Sequence, residues 1–157
     1  MNIPKVKRFY VIYNQQKHIV MDFSNINYLA VVVATLASFA IGSLWYSPLL
    51  FGKGWQKAVN LSEDDIKNSN MFKTFGFSFI LMFIMALGVA LFQQGHDNAT
   101  STALGGLIHG LFLAIFFVAT SYGVNMLYQQ KSFKLWLIDA GYQTVLLAVM
   151  GLIIGAW

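Results

Sequence analysis

Residues 133–156 read FKLWLIDAGYQTVLLAVMGLIIGA, an almost unbroken apolar run that holds one acid, Asp139, and one basic residue, Lys134, near its start. A helix needs roughly 20 residues to cross a hydrocarbon core. In lipid the backbone must satisfy its own hydrogen bonds, so a run without strand-like alternation selects a helix rather than a barrel. Three more runs of this kind lie upstream, at about 26–47, 72–92 and 103–128. Only the last of the four carries an acid inside it, and Lys134 stands one turn from its start, where an ammonium group can snorkel to the headgroups. The pattern predicts an all-α membrane protein of four transmembrane helices. Short connections favour neighbours packed as an antiparallel bundle. Residues 26–157 would form this domain, preceded by a basic tail, 1–25, that is disordered or interfacial.

Composition agrees with lipid as the solvent. The chain has 157 residues, is 57% hydrophobic and only 10% charged, and has a mean hydropathy of +0.61. Soluble domains carry about 25% charged residues. Cysteine is absent, which excludes disulfides, thiolate metal sites and thiol chemistry from this chain. The net charge of +4 comes from lysines and an arginine that flank the apolar runs, where they set topology, so no nucleic-acid partner is expected. In the tail, Met21 offers a second start. A signal peptide is the competing reading of this end, with Ser38-Phe-Ala40 as a small-residue cleavage site, but the apolar run continues past that site.

Between the first two runs stands GSLWYSPLLFGKGW, residues 42–55. Trp45 and Tyr46 fall where the first helix leaves the hydrocarbon, a depth that amphipathic rings favour. Pro48 disfavours helical geometry at Ser47 and ends or kinks the helix there. Leu49, Leu50, Phe51 and Trp55 with Lys53 and Lys57 then read as a short interfacial segment. Trp45, Tyr46, Trp55, Lys53 and Lys57 are its expected anchors. Ser62-Glu-Asp-Asp65 has the hydroxyl and acids of a helix start. The first and third connections hold Lys53, Lys57, Lys67, Lys73, Lys131 and Lys134, against Lys5, Lys7, Arg8 and Lys17 in the tail. This count places loops 48–71 and 129–132 in the cytoplasm of a cell (plasma) membrane protein with both termini outside.

The run Asn27-Tyr-Leu-Ala-Val31, the stretch LWYSPLLFGKGW, Leu61-Ser-Glu-Asp-Asp-Ile66, Asp139-Ala-Gly-Tyr142 and the closing Gly155-Ala-Trp157 together resemble the bacterial membrane family named domain of unknown function 1761. The resemblance covers about Ile26 to Trp157. It implies the four-helix membrane architecture and brings no activity with it.

Asp139 is the leading candidate for function, because a carboxylate inside a membrane span is costly. Gln143 follows one turn later on the same face. If the third and fourth helices form a hairpin about residues 129–132, Tyr122 lies at the depth of Asp139, with Ser121 and Asn125 nearby. The competing reading is structural, with Asp139 capping, touching water or pairing with Lys134. His109, between Gly105, Gly106 and Gly110, is a secondary candidate, where the glycines leave room for a ligand or a neighbouring helix. No metal or cofactor is expected. A bis-histidine haem lacks its second ligand, and His96 and Asp97 could reach His109 only through a folded-back loop. The small residues Ala30, Ala34, Ser38 and Gly42 make one packing face of the first helix, either for its own bundle or as a homodimer seam. Ala140, Thr144, Ala148 and Gly151 make a similar stripe on the fourth.

Two functions compete on these grounds. One is an oligomeric carrier or channel for a small solute or ion, working through Asp139. The other is an accessory or structural protein that binds a larger membrane partner through its small-residue faces. An enzyme ranks last, because no nucleophile–base pair, metal triad or nucleotide loop is evident.

Overall fold

The computed structural model describes residues 22–95 and 102–157, and among these every regular element is helical. A 3-10 turn, Phe23–Asn25, leads into α1, Tyr28–Trp45. There follow α2, Gly52–Val59, α3, Glu63–Asn68, α4, Met71–Gln94, α5, Ala103–Tyr128, and α6, Phe133–Gly155. Helices α1, α4, α5 and α6 are each long and apolar enough to cross a membrane. The tail readings at residues 1–21, and His96 and Asp97, lie outside the described residues.

Side-chain caps set the starts. Asn27 accepts hydrogen bonds from the Leu29 and Ala30 amides, Asn70 from Lys73, Thr102 from Gly105 and Ser132 from Leu135. Each satisfies amides that a helix start leaves without partners. At α3 the Ser62 hydroxyl accepts from the Asp65 amide while the Asp65 carboxylate accepts from the Ser62 amide, a reciprocal capping box. The Ser62 hydroxyl and amide hold the Asp65 carboxyl below its ordinary value of 3.8. A depressed carboxyl stabilises its fold above the ordinary value and loses that contribution as pH falls through the lower folded one. We therefore expect α3 to hold at neutral pH and to loosen below pH 3.8. An NMR titration of the Ser62 and Asp65 amides should show this, and Asp65→Asn should remove the acid transition.

Helix α6 is the centre of the bundle. Half of its apolar window is buried, against 17–33% for the other three, and it packs on α1, α4 and α5. Leu146 and Met150 of α6 share the hydrophobic core with Val31 of α1 and Val89 of α4, and Thr35 and Ser38 of α1 are fully buried as well. Phe72, Leu81, Phe116 and Phe117 point outward and are exposed. The contacts of α5 with α6 pass from Gly106 with Gly151 and Gly155, through Gly110 with Leu147 and Ala148, to Tyr122 with Asp139, rising on one helix as they fall on the other. A six-residue π segment, Ala114–Ala119, interrupts α5 midway.

Ala30, Ala34, Ser38 and Gly42 of α1 are all buried within this one chain, so the stripe packs into its own bundle. The stripe of α6 is likewise partly used inside, where Ala148 and Gly151 lie against the glycines of α5.

Candidate functional site

Asp139 lies in the second turn of α6 and is only 6% exposed. Two tyrosines from other elements reach it. Tyr46, just past the end of α1, donates its hydroxyl to Oδ1 at 2.8 Å, and Tyr122 of α5 donates to Oδ2 at 3.2 Å. The Trp55 indole of α2 lies close to the same carboxylate. Among the described residues the groups around Asp139 are thus hydroxyls and an indole, with no cation. Lys134, considered above as a partner, instead lies over α2, where its Nζ would stand 3.7 Å from a Cβ built on Gly54.

The chain path after α1 builds this cluster. Tyr46 donates its amide to the Gly42 carbonyl, and the backbone then doubles back, with Leu50 and Gly52 donating to the Ser47 carbonyl and Phe51 to Trp45. A Cβ on Gly52 would come within 2.7 Å of the Ser47 carbonyl oxygen, so this fold-back requires glycine. It carries Trp55 over Tyr46, edge to face at 5.5 Å. Tyr142 packs against the other side of Tyr46 at 5.1 Å. The Tyr142 hydroxyl lies 2.8 Å from where Gly42 would carry a Cβ, which explains a glycine at that point of the α1 stripe.

Two indoles brace the same end of α6. Trp45 donates Nε1 to the Ile138 carbonyl at 3.1 Å, and Trp136 donates Nε1 to the Ala119 carbonyl at 3.0 Å. Ala119 is the last residue of the π segment, where the usual helical bonding is shifted and single-turn π insertions often accompany functional sites. Trp45 and Tyr46, expected as anchors at headgroup level, thus direct their polar atoms onto α6. Their hydrogen-bonding atoms find partners there that lipid could not supply. Trp55 packs its ring on Tyr46, while Lys53 and Lys57 remain exposed on α2.

The other expected members of the site separate from it. Ser121 and Asn125 are exposed, and Asn125 donates Nδ2 to the Ser121 carbonyl of its own helix. The Oε1 of Gln143 is buried and accepts no hydrogen bond among the described residues, and the Asp139 cluster does not include it. His109 lies toward the opposite end of the bundle, edge to face with Phe92 at 5.6 Å. It borders a cavity of about 320 Å³ with Asn25, Asn27, Gln93, Ile154 and Trp157. Sequence reasoning reached Tyr122 but missed Tyr46 and Tyr142. The depth argument that pairs Tyr122 with Asp139 applies equally to Tyr46, which stands at the end of α1 nearest the start of α6.

Chemically, a carboxylate held by neutral donors in an apolar span can take up and release a proton or bind a small cation. Either would neutralise a charge that low dielectric makes costly. The model of a family described as Protein of unknown function (DUF1761) matches residues 29–155, a stretch that includes every member of the Asp139 cluster. No curated protein and no solved structure matches the chain.

Proposed function

The chain belongs to the DUF1761 family, and for this member we propose a multi-pass protein of the cell membrane that carries a small solute or ion, with Asp139 as its proton- or cation-binding group. The observation that supports this reading is the carboxylate itself, 6% exposed and surrounded by hydroxyls and an indole in place of a counter-cation. Buried charges are ordinarily paired, and none of the lysines of α2 and α6 is among the groups that face this one. The seam between α5 and α6 is closed by backbone-to-backbone contact at Gly106 and Gly151, so a transport path would run between copies of the chain in an oligomer. The orientation that goes with this reading keeps loops 48–71 and 129–132 in the cytoplasm and both termini outside, following the lysines of those loops. The alternative, an accessory protein that binds through small-residue faces, is less well supported because those faces are covered by the chain's own helices.

The test is proton flux into proteoliposomes loaded with a pH-sensitive dye under an imposed potential. Wild-type vesicles are expected to acidify several-fold faster than empty ones, and Asp139→Asn to return the rate to the empty level while the protein still elutes as one species. Wild-type flux equal to that of empty vesicles, or unchanged flux in Asp139→Asn, would refute proton carriage through this group.

A further inference from the structure

Where α1 ends, α2 folds back and α6 begins, a groove of about 480 Å³ opens between Trp45, Phe51, Gly54, Lys134, Leu137 and Gly141. This is the size of a small-molecule site, but its walls are apolar apart from a single ammonium group. The groove floor is open because two glycines line it. A Cβ on Gly141 would meet the Trp45 ring at 3.3 Å, and one on Gly54 would meet Ile138 Cδ1 and Lys134 Cε, each at 3.7 Å. Its outer rim is formed by Leu50, Phe51 and Leu137, which are 49%, 41% and 52% exposed. Lys134 is exposed at the mouth, and Lys53 and Lys57 are exposed on the adjoining α2. No acid lines the groove.

We propose that this groove binds an anionic phospholipid, one acyl chain lying along Trp45, Phe51 and Leu137 and the phosphate meeting Lys134 at the mouth. The inference rests on the membrane reading given above and is independent of transport through Asp139. Charge complementarity selects the occupant. A slot at the end of the spanning helices, apolar along its length and cationic only at its opening, matches an amphiphile with an anionic head. The mouth presents positive charge alone, so a zwitterionic lipid gains little there.

Spin-labelled lipids in reconstituted membranes test this directly, because a lipid held in a groove is immobilised on the timescale of the spectrum. Wild-type protein is expected to immobilise labelled phosphatidylglycerol over labelled phosphatidylcholine by about fivefold, the ratio one lysine near an anionic head supplies. Lys134→Gln keeps most of the side-chain stem and removes the charge, and should lower the preference below about twofold. Lys73→Gln removes an exposed lysine outside the groove and should leave the preference at the wild-type value. Equal immobilisation of the two lipids by the wild type, an unchanged preference in Lys134→Gln, or an equal loss in Lys73→Gln would each overturn the proposal. A failed flux assay with this preference intact would reject transport alone.

Discussion

Gly106→Leu is expected to spread the α5–α6 seam and to lower the melting temperature by up to about 12 °C, whereas Gly88→Leu is tolerated. The two glycines lie in helices of similar apolarity, and only the space around them differs. A Cβ on Gly106 would run into the Gly151 carbonyl and stand 3.0 Å from the Gly155 Cα, whereas one on Gly88 would meet nothing within 4 Å. The obstacle at Gly106 is backbone, which cannot rotate away as a side chain can. Gly110 repeats the arrangement against the Leu147 carbonyl, with the Ala148 Cα at 3.0 Å. Spreading this seam would also strain the hydrogen bond from Gln93 Nε2 to the Gly151 carbonyl, now 3.1 Å. Overpacking of a tight core commonly costs about 1–3 kcal/mol. For a chain of this size that corresponds to a loss of roughly 2–12 °C in Tm, with leucine toward the upper end. Alanine makes a sharper test because propensity and packing oppose each other. Alanine favours a helix over glycine by about 1 kcal/mol, so Gly88→Ala should raise the melting temperature slightly, while Gly106→Ala should lower it. Thermal denaturation in detergent, followed by size-exclusion recovery, reads both signs. Equal melting of the Gly106 and Gly88 variants would show that the seam does not hold the bundle together.

This seam also shows why part of the fold could be read from the sequence and part could not. The spans were readable because length and apolarity suffice to mark a helix that can cross a membrane, and α1, α4, α5 and α6 lie within about two residues of the apolar runs. The start of α3 was readable because a capping box is local chemistry, and Ser62 and Asp65 supply it. Which face of each helix turns inward was harder to read. A soluble helix shows its buried side by contrast with polar residues, but these helices are apolar all round, so periodicity carries almost no signal. Small residues are the remaining guide. They located the buried face of α1 at Ala30, Ala34, Ser38 and Gly42, and marked Gly106 and Gly110 as points of close approach, without naming the partner. The π segment at Ala114–Ala119 has no proline or polar break to announce it. Trp45 and Tyr46 drew notice as amphipathic rings at the end of α1, but only the fold-back after Pro48 and the proximity of Ile138 and Asp139 turn their polar atoms onto α6.

Tyr46→Phe is expected to cost about 1.5–3 kcal/mol if Asp139 carries a charge in the folded protein, the range for a hydrogen bond to an ionised group, and about 0.5–1.5 kcal/mol if it is neutral. The substitution removes one oxygen and leaves the ring between Trp55 and Tyr142, so packing is preserved and the measured loss belongs to the 2.8 Å bond. A double-mutant cycle with Asp139→Asn isolates the part of that bond that depends on charge, because asparagine keeps a neutral acceptor in place. Asparagine keeps the shape of the carboxylate and can still accept through Oδ1 from Tyr46, while its amide nitrogen can donate to the Tyr122 hydroxyl. Asp139→Asn alone should therefore melt close to the wild type. Interhelical hydrogen bonds in membranes average only about 0.6 kcal/mol. A coupling of about 1 kcal/mol or more would thus mark a charged acceptor, and one near zero a protonated or weakly engaged carboxyl. Tyr122→Phe should behave in the same way with a smaller effect, because its bond is longer at 3.2 Å. The stability and flux measurements then separate the two roles of the acid. A group kept to hold the bundle together would show large coupling and no effect on flux, whereas one kept for proton or cation binding would leave Asp139→Asn folded and abolish flux. The second outcome is expected here, because the donors to Asp139 are two tyrosine hydroxyls that can rotate when the proton leaves, and neither supplies a fixed opposite charge.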